Sequence, residues 1–137
     1  MSMPRTLHGR GIVKGQASGP ALVAQEAVSF LGDVDIRSGA IVGDLPSVRN
    51  ANVRGRVLIM PYTRGSAGAW RFLYQLFKHD NHPVALVIGS LPDPSVVQGA
   101  ILAGIPIVCE LDHDPVACIA NGAMVRVDGD TGTVDIR

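Results

Sequence analysis

Met60-Pro61-Tyr62-Thr63-Arg64-Gly65-Ser66-Ala67-Gly68 stands between two segments with different hydrophobic periods. Ahead of it, Val57-Leu58-Ile59-Met60 is an unbroken apolar run after Gly55-Arg56, which predicts a strand over 56–60 stopped by Pro61. Behind it, Trp70, Leu73, Tyr74 and Phe77 recur at spacings of three and four, which predicts a helix over 67–78 with these residues on one face. Ser66 lies at the join. Helix N-termini leave backbone N–H groups unpaired, and such groups attract anions. Strand, turn with a hydroxyl, and helix start make this the place where chemistry is expected.

Downstream, the same alternation repeats. Strands are predicted at 84–88 and 105–109, both apolar throughout, as in central parallel strands covered on two faces. Between them a helix is predicted over 94–103, with Asp93 as N-cap, Pro94 presetting the first turn and Gly104 closing it. Its inner face is expected to be Val97, Ala100 and Ile101. Asp128-Gly129-Asp130-Thr131-Gly132 marks a hairpin turn between strands near 124–127 and 133–136.

Upstream, glycines at 9, 11, 15 and 19 punctuate one or two short strands over 7–23. Brief apolar pieces around 28–32 and 39–43 suggest that the first part is β-rich. Gly9-Arg10-Gly11 is not a dinucleotide loop, because position 14 is Lys14, and no Gly-Lys-Ser/Thr ending marks a P-loop. The expected fold is α/β: a β-rich layer, a mostly parallel central sheet, and helices on one side. Residues 1–137 are expected to form one domain.

Twelve basic and twelve acidic side chains cancel, no Lys/Arg cluster exists, and aromatics make up only 4%. That combination argues against a nucleic-acid partner. No apolar run approaches twenty residues and the start lacks a signal-peptide core, so a cytoplasmic protein with no membrane association is expected. Zero net charge suits a chain whose surface is partly covered by a permanent partner. Cys109 and Cys118, the only cysteines, are expected to be buried free thiols, too few for a structural zinc site.

Ser66 has two readings: a functional hydroxyl, or a cap that satisfies a helix donor. A serine needs an activator or a stabilised alkoxide to act, and Gly-x-Ser-x-Gly is not present. Arg64 is either a clamp for a carboxylate or phosphate or a solvated turn residue. Tyr62, Thr63 and Ala67 are candidates for lining the same pocket. His79, Asp80 and His82 form one polar cluster and Asp112, His113 and Asp114 another; each reads as a loop or a ligand set. With a parallel sheet, the 110–114 loop could flank the Ser66 cleft, with Glu110 as an acid–base candidate.

Gly15-x-Ala17-Ser18-Gly19-x-Ala21, Gly55-Arg56-Val57-Leu58-Ile59, Pro61, Ala100-Ile101-Leu102-Ala103-Gly104-Ile105-Pro106 and Val125-x-Val127-Asp128-Gly129 resemble the swivelling phosphohistidine domain of phosphoenolpyruvate-utilising enzymes. The histidine of that family corresponds to Ser95 here, so the carrier group is absent. Gly9-Arg10-Gly11, the small-residue stretch 15–23, Pro61-x-x-x-Gly65-Ser66 and Gly104-Ile105-Pro106 resemble the small subunit of the two-subunit aconitase X dehydratases over nearly the whole chain.

That second resemblance implies a swivel domain docked on a large catalytic subunit that holds an iron or iron–sulfur centre, with no cofactor on this chain. It implies Ser66 as proton acceptor, with Arg64, Gly65, Tyr62, Thr63 and Ala67 around a small hydroxy acid. Within the family, dehydration of cis-3-hydroxy-L-proline to Δ1-pyrroline-2-carboxylate is the activity expected first. Dehydration of mevalonate 5-phosphate to anhydromevalonate phosphate is the alternative, and a non-catalytic swivel or assembly module is a further one.

Overall fold

The computed structural model describes residues 5–64 and 66–137. Eight strands follow the order β1-β8-β7-β3-β4-β5-β6-β2, where β1 is Thr6–His8, β2 Arg10–Val13, β3 Gln16–Val23, β4 Val57–Met60, β5 Ala85–Ile88, β6 Ile107–Cys109, β7 Met124–Asp128 and β8 Thr133–Ile136. The two ends of that order, β1 and β2, are joined by Gly9 alone. One continuous segment therefore pairs with β8 through its first half and with β6 through its second, and the sheet closes on itself. Strands β3, β4, β5 and β6 are mutually parallel; β2, β7 and β8 run antiparallel to their neighbours.

Alternation along the strands divides the apolar side chains between two cores. Val57 and Ile59 of β4, with Leu7, Val87, Val108 and Val127, fill the space enclosed by the strands. Leu58 and Met60 of the same strand, with Leu86 and Ile88, face outward under two helices, α1 (Ala69–Lys78) and α2 (Pro94–Ala103). The α/β class and a helix layer over the parallel strands are as expected from the sequence, but the β-rich layer and the central sheet form one closed sheet in which four of the seven strand pairings are antiparallel. A third short helix, α3 (Pro115–Cys118), leads towards β7. None of the helices is long and apolar enough to cross a membrane among the described residues.

The helix faces differ in phase from those predicted. On α1 the buried residues are Ala69, Leu73 and Leu76, while Trp70 and Tyr74 lie at the margin and Phe77 is exposed. The apolar stripe is wide, so its period marks the helix without marking its centre; compact aliphatics take the centre and the rings lie along the rim. On α2, Val96, Gly99, Ala100 and Ala103 are buried and Ile101 is 62% exposed. This helix is apolar nearly all round, so periodicity alone leaves its inward face undetermined. Residues 24–53 are irregular rather than β-rich: they hold two isolated bridges, Val34 to Ile41 and Ala40 to Asn52, and one 3-10 turn over Pro46–Val48. Val28, Phe30, Leu45 and Val53 from this excursion pack into the helix-side core.

His82 follows α1 with its ring edge against Phe77, centroids 5.3 Å apart, and its Nδ1 is buried without a protein partner among the described residues. Burial lowers its pKa below 6.5, against the opposing pull of Asp80. Folding therefore favours the neutral ring, so this contribution to stability is complete above about pH 6.5 and is lost as pH falls towards the lowered value. Urea midpoints measured at pH 7.5 and 5.5 should differ less in His82→Leu than in the wild type. An unchanged difference would exclude His82 as the source.

Candidate active site at the ends of two parallel strands

β4 and β5 pair in parallel with Met60 opposite Ile88, so the segments leaving them, 61–68 and 89–93, emerge side by side at the carboxyl edge of the sheet. Gly89 N–H donates to the Met60 carbonyl at 3.0 Å and Ser90 N–H to the Pro61 carbonyl at 3.1 Å. A Cβ on Gly89 would stand 2.7 Å from the Pro61 carbonyl oxygen, so the approach requires glycine. Thr63 then ties the two segments together. Its Oγ1 donates to Asp93 Oδ2 at 2.6 Å and accepts from the Asp93 N–H at 3.0 Å.

Ser66 sits where this paired edge meets the start of α1. Its carbonyl accepts from Ala69 N–H at 3.0 Å, and its Oγ accepts from Gly68 N–H at 3.3 Å. Gly68, not Ser66, occupies the N-cap position, and α1 begins at Ala69, two residues later than predicted. The Trp70 N–H in the first turn is satisfied from the other helix: it donates to Ser95 Oγ at 3.0 Å, and that hydroxyl donates to the Ala67 carbonyl at 3.1 Å. Ser66, Ala67, Asp93, Pro94 and Ser95 line an open cleft of about 460 Å³. The Ser66 hydroxyl is thus half-buried, next to the positive end of a ten-residue helix.

The other candidates are placed around it unevenly. Thr63 is partly buried and committed to Asp93, so it holds the loop and does not line the cleft. Arg64 is exposed, Tyr62 is 54% exposed, and Ala67 is exposed on the cleft wall. Gly65 lies outside the described residues. Asp93 and Ser95, read from the sequence only as a helix cap and as the place of a missing histidine, are brought into the cleft. The signal that could have found them is the run of two successive parallel strand–helix units, whose exit loops must meet.

The 110–114 loop does not flank the cleft. β6 lies beyond β5 from β4, next to β2, so its exit is directed to the sheet closure instead. Glu110 pairs there with Arg10 at 2.7 Å, and Asp112 accepts from the His8 N–H at 3.0 Å. That backbone donor, helped by His113, keeps the Asp112 carboxyl below its usual range despite some desolvation. In the 79–82 cluster, His79 Nδ1 lies 2.9 Å from the Gln75 carbonyl, and Asp80 takes a left-handed turn conformation with φ 59°. Among the described residues no three His, Cys, Asp or Glu side chains are grouped to hold a metal ion. Cys109 is buried and Cys118 partly so, both free thiols, and desolvation raises the pKa of each. The described residues therefore offer no ligand set for an iron or iron–sulfur centre.

Residues 6–136 match the aconitase X swivel domain family. The phosphomevalonate dehydratase small subunit of Methanocella arvoryzae is 40% identical over 130 residues, covering 95% of this chain and 98% of that protein. The phosphomevalonate dehydratase small subunit of Methanosarcina acetivorans is 35% identical over 134 residues, covering 98% and 92%. The crystal structure of Thermococcus kodakaraensis aconitase X in its holo-form superposes with a TM-score of 0.86 at 34% identity, covering 98% of this chain and 99% of that one.

Proposed function

This chain belongs to the aconitase X swivel-domain family, and from that premise we propose that it is the small subunit of a two-subunit phosphomevalonate dehydratase with Ser66 as proton acceptor. The observation that carries the reading is the end-to-end similarity to small subunits of that name, at 35–40% identity for the two relatives described. cis-3-Hydroxy-L-proline, the substrate expected first from the sequence, gives way to mevalonate 5-phosphate because those relatives are named for the latter.

The reaction removes a proton from C2, beside the carboxylate, and hydroxide from C3, leaving a C2=C3 double bond and water. Such an elimination needs a base on one side and a Lewis acid on the leaving oxygen. We assign the Lewis acidity to the iron or iron–sulfur centre expected on the large subunit; among the described residues of this chain no three His, Cys, Asp or Glu side chains are grouped to hold a metal ion. What this chain contributes is the Ser66 oxygen. The Gly68 N–H already points at it, and the first turn of α1 places further positive potential behind it. Both favour the alkoxide over the neutral hydroxyl, the condition a serine must meet to take a carbon-bound proton. Arg64, exposed in the segment that leads to Ser66, is assigned to the substrate carboxylate or phosphate, which its planar fork matches.

The test is to co-express the chain with its large subunit and assay both hydroxy acids. Turnover of mevalonate 5-phosphate at least 100-fold above that of cis-3-hydroxy-L-proline is expected. The opposite preference would restore hydroxyproline. Full activity of the isolated chain would end the two-subunit reading.

A further inference from the structure

We infer that Ser95 is a positioning residue for Ser66, acting through the turn that carries it; the inference rests on the proposed role of Ser66 as proton acceptor. Ser95 stands in the first turn of α2, just after Pro94, where a serine ordinarily turns back on its own helix. Here it reaches across to α1. The hydroxyl uses its proton on the Ala67 carbonyl at 3.1 Å and accepts from the Trp70 N–H at 3.0 Å. Ala67 is the residue next to Ser66, and Trp70 closes the first turn behind it. One oxygen from a second helix therefore grips the Ser66 turn from both ends.

Among the described residues, few other tethers hold this turn. Its backbone is fixed locally by Ala69 N–H to the Ser66 carbonyl and Arg71 N–H to the Gly68 carbonyl. The remaining side-chain contact, Gly68 N–H to Ser66 Oγ, involves the functional oxygen itself. α2 is well placed as an anchor because its own start is pinned: Val96 and Val97 N–H donate to the Asp93 carbonyl, and the Asp93 carboxylate is held by Thr63. Without Ser95, the Ala67 carbonyl and the Trp70 N–H lose their partner at the edge of an open cleft. Water can replace it, so the fold survives while the aim of Ser66 does not. A displacement of about 1 Å in such a group is worth about 100-fold in rate.

Ser95→Ala and Ser95→Thr test this in the assembled two-subunit enzyme, beside Ser66→Ala. Ser95→Ala should lower kcat per assembled complex at least tenfold with KM within twofold, and Ser95→Thr, which keeps the oxygen, should stay within threefold of wild type. Amide exchange of Trp70 in the isolated chain should quicken at least tenfold in Ser95→Ala and return in Ser95→Thr. A kcat within twofold of wild type in Ser95→Ala would overturn the inference, as would a kcat loss that threonine fails to rescue with Trp70 exchange unchanged. An inactive Ser66→Ala beside a fully active Ser95→Ala defeats the positioning role alone. A fully active Ser66→Ala defeats both it and the proton-acceptor reading.

Discussion

Ser66→Ala is expected to lower turnover of the assembled complex by about 10²–10⁴-fold, the usual contribution of a positioned acid–base group, with little change in fold or assembly. The two halves of that expectation come from the same geometry. Among the described residues the Ser66 oxygen accepts one long hydrogen bond, from Gly68 N–H at 3.3 Å, at an open cleft where water can take its place. Its removal should therefore cost the fold about 1 kcal/mol or less. The structural bonds of the turn run instead through the Ser66 carbonyl and Ser95, which the substitution leaves in place. Melting temperature, co-purification with the large subunit and rate should be measured on one preparation. Activity within a few-fold of wild type would remove Ser66 as the base and leave a swivel or assembly role for the chain.

Gly129→Ala is expected to destabilise the fold by about 3 kcal/mol, the upper part of the overpacking range, and to lower Tm by about 10 °C. At Gly129 the obstacle is space, not backbone angles. A Cβ there would run into the Val13 carbonyl, whose carbon lies 3.0 Å from the added atom. The contact is reciprocal in kind, because a Cβ on Gly11 would strike the Gly129 carbonyl. Neither backbone can retreat. Gly129 N–H donates to the Gly15 carbonyl at 2.7 Å, and β2 is held on its other side by β6. A change in Tm of under 2 °C would show that the closure can open at this crossing without loss.

Much of this architecture was legible because local period and turn chemistry agree with the tertiary result. The strands read at 56–60 and 84–88 form to within a residue, and the Pro94 helix start, Gly104 in the left-handed cap and the Asp128–Gly132 hairpin turn form as read, while Asp93 stands at the N-cap position with its carboxylate turned to Thr63 instead of the helix. The Asp128 Oδ1 accepts from the N–H groups of Asp130 and Thr131, a side-chain bond that the sequence spells out directly. What escaped reading depends on partners far along the chain. Nothing near Thr6–Val13 shows that its halves pair with opposite ends of one sheet, and nothing in α2 shows that Ile101 faces solvent. Residues 24–53 misled because their apolar residues serve a core without forming a ladder. In the candidate site, Ser66 is singled out by its own neighbourhood, whereas Ser95 and Asp93 enter the cleft through contacts 25 to 30 residues away.

The pairing of β1 with β8 also sets a timetable for synthesis. Thr6 Oγ1 donates to Asp135 at 2.8 Å across 129 residues, and at ordinary elongation rates on the order of ten seconds separate the appearance of those two ends. Until Thr133–Ile136 has been made, β1 and β7 lack the strand that joins them and the sheet keeps a free edge, the kind of surface that recruits wrong neighbours. A message cut short before codon 133 would therefore yield an open, adhesive sheet rather than a smaller working subunit.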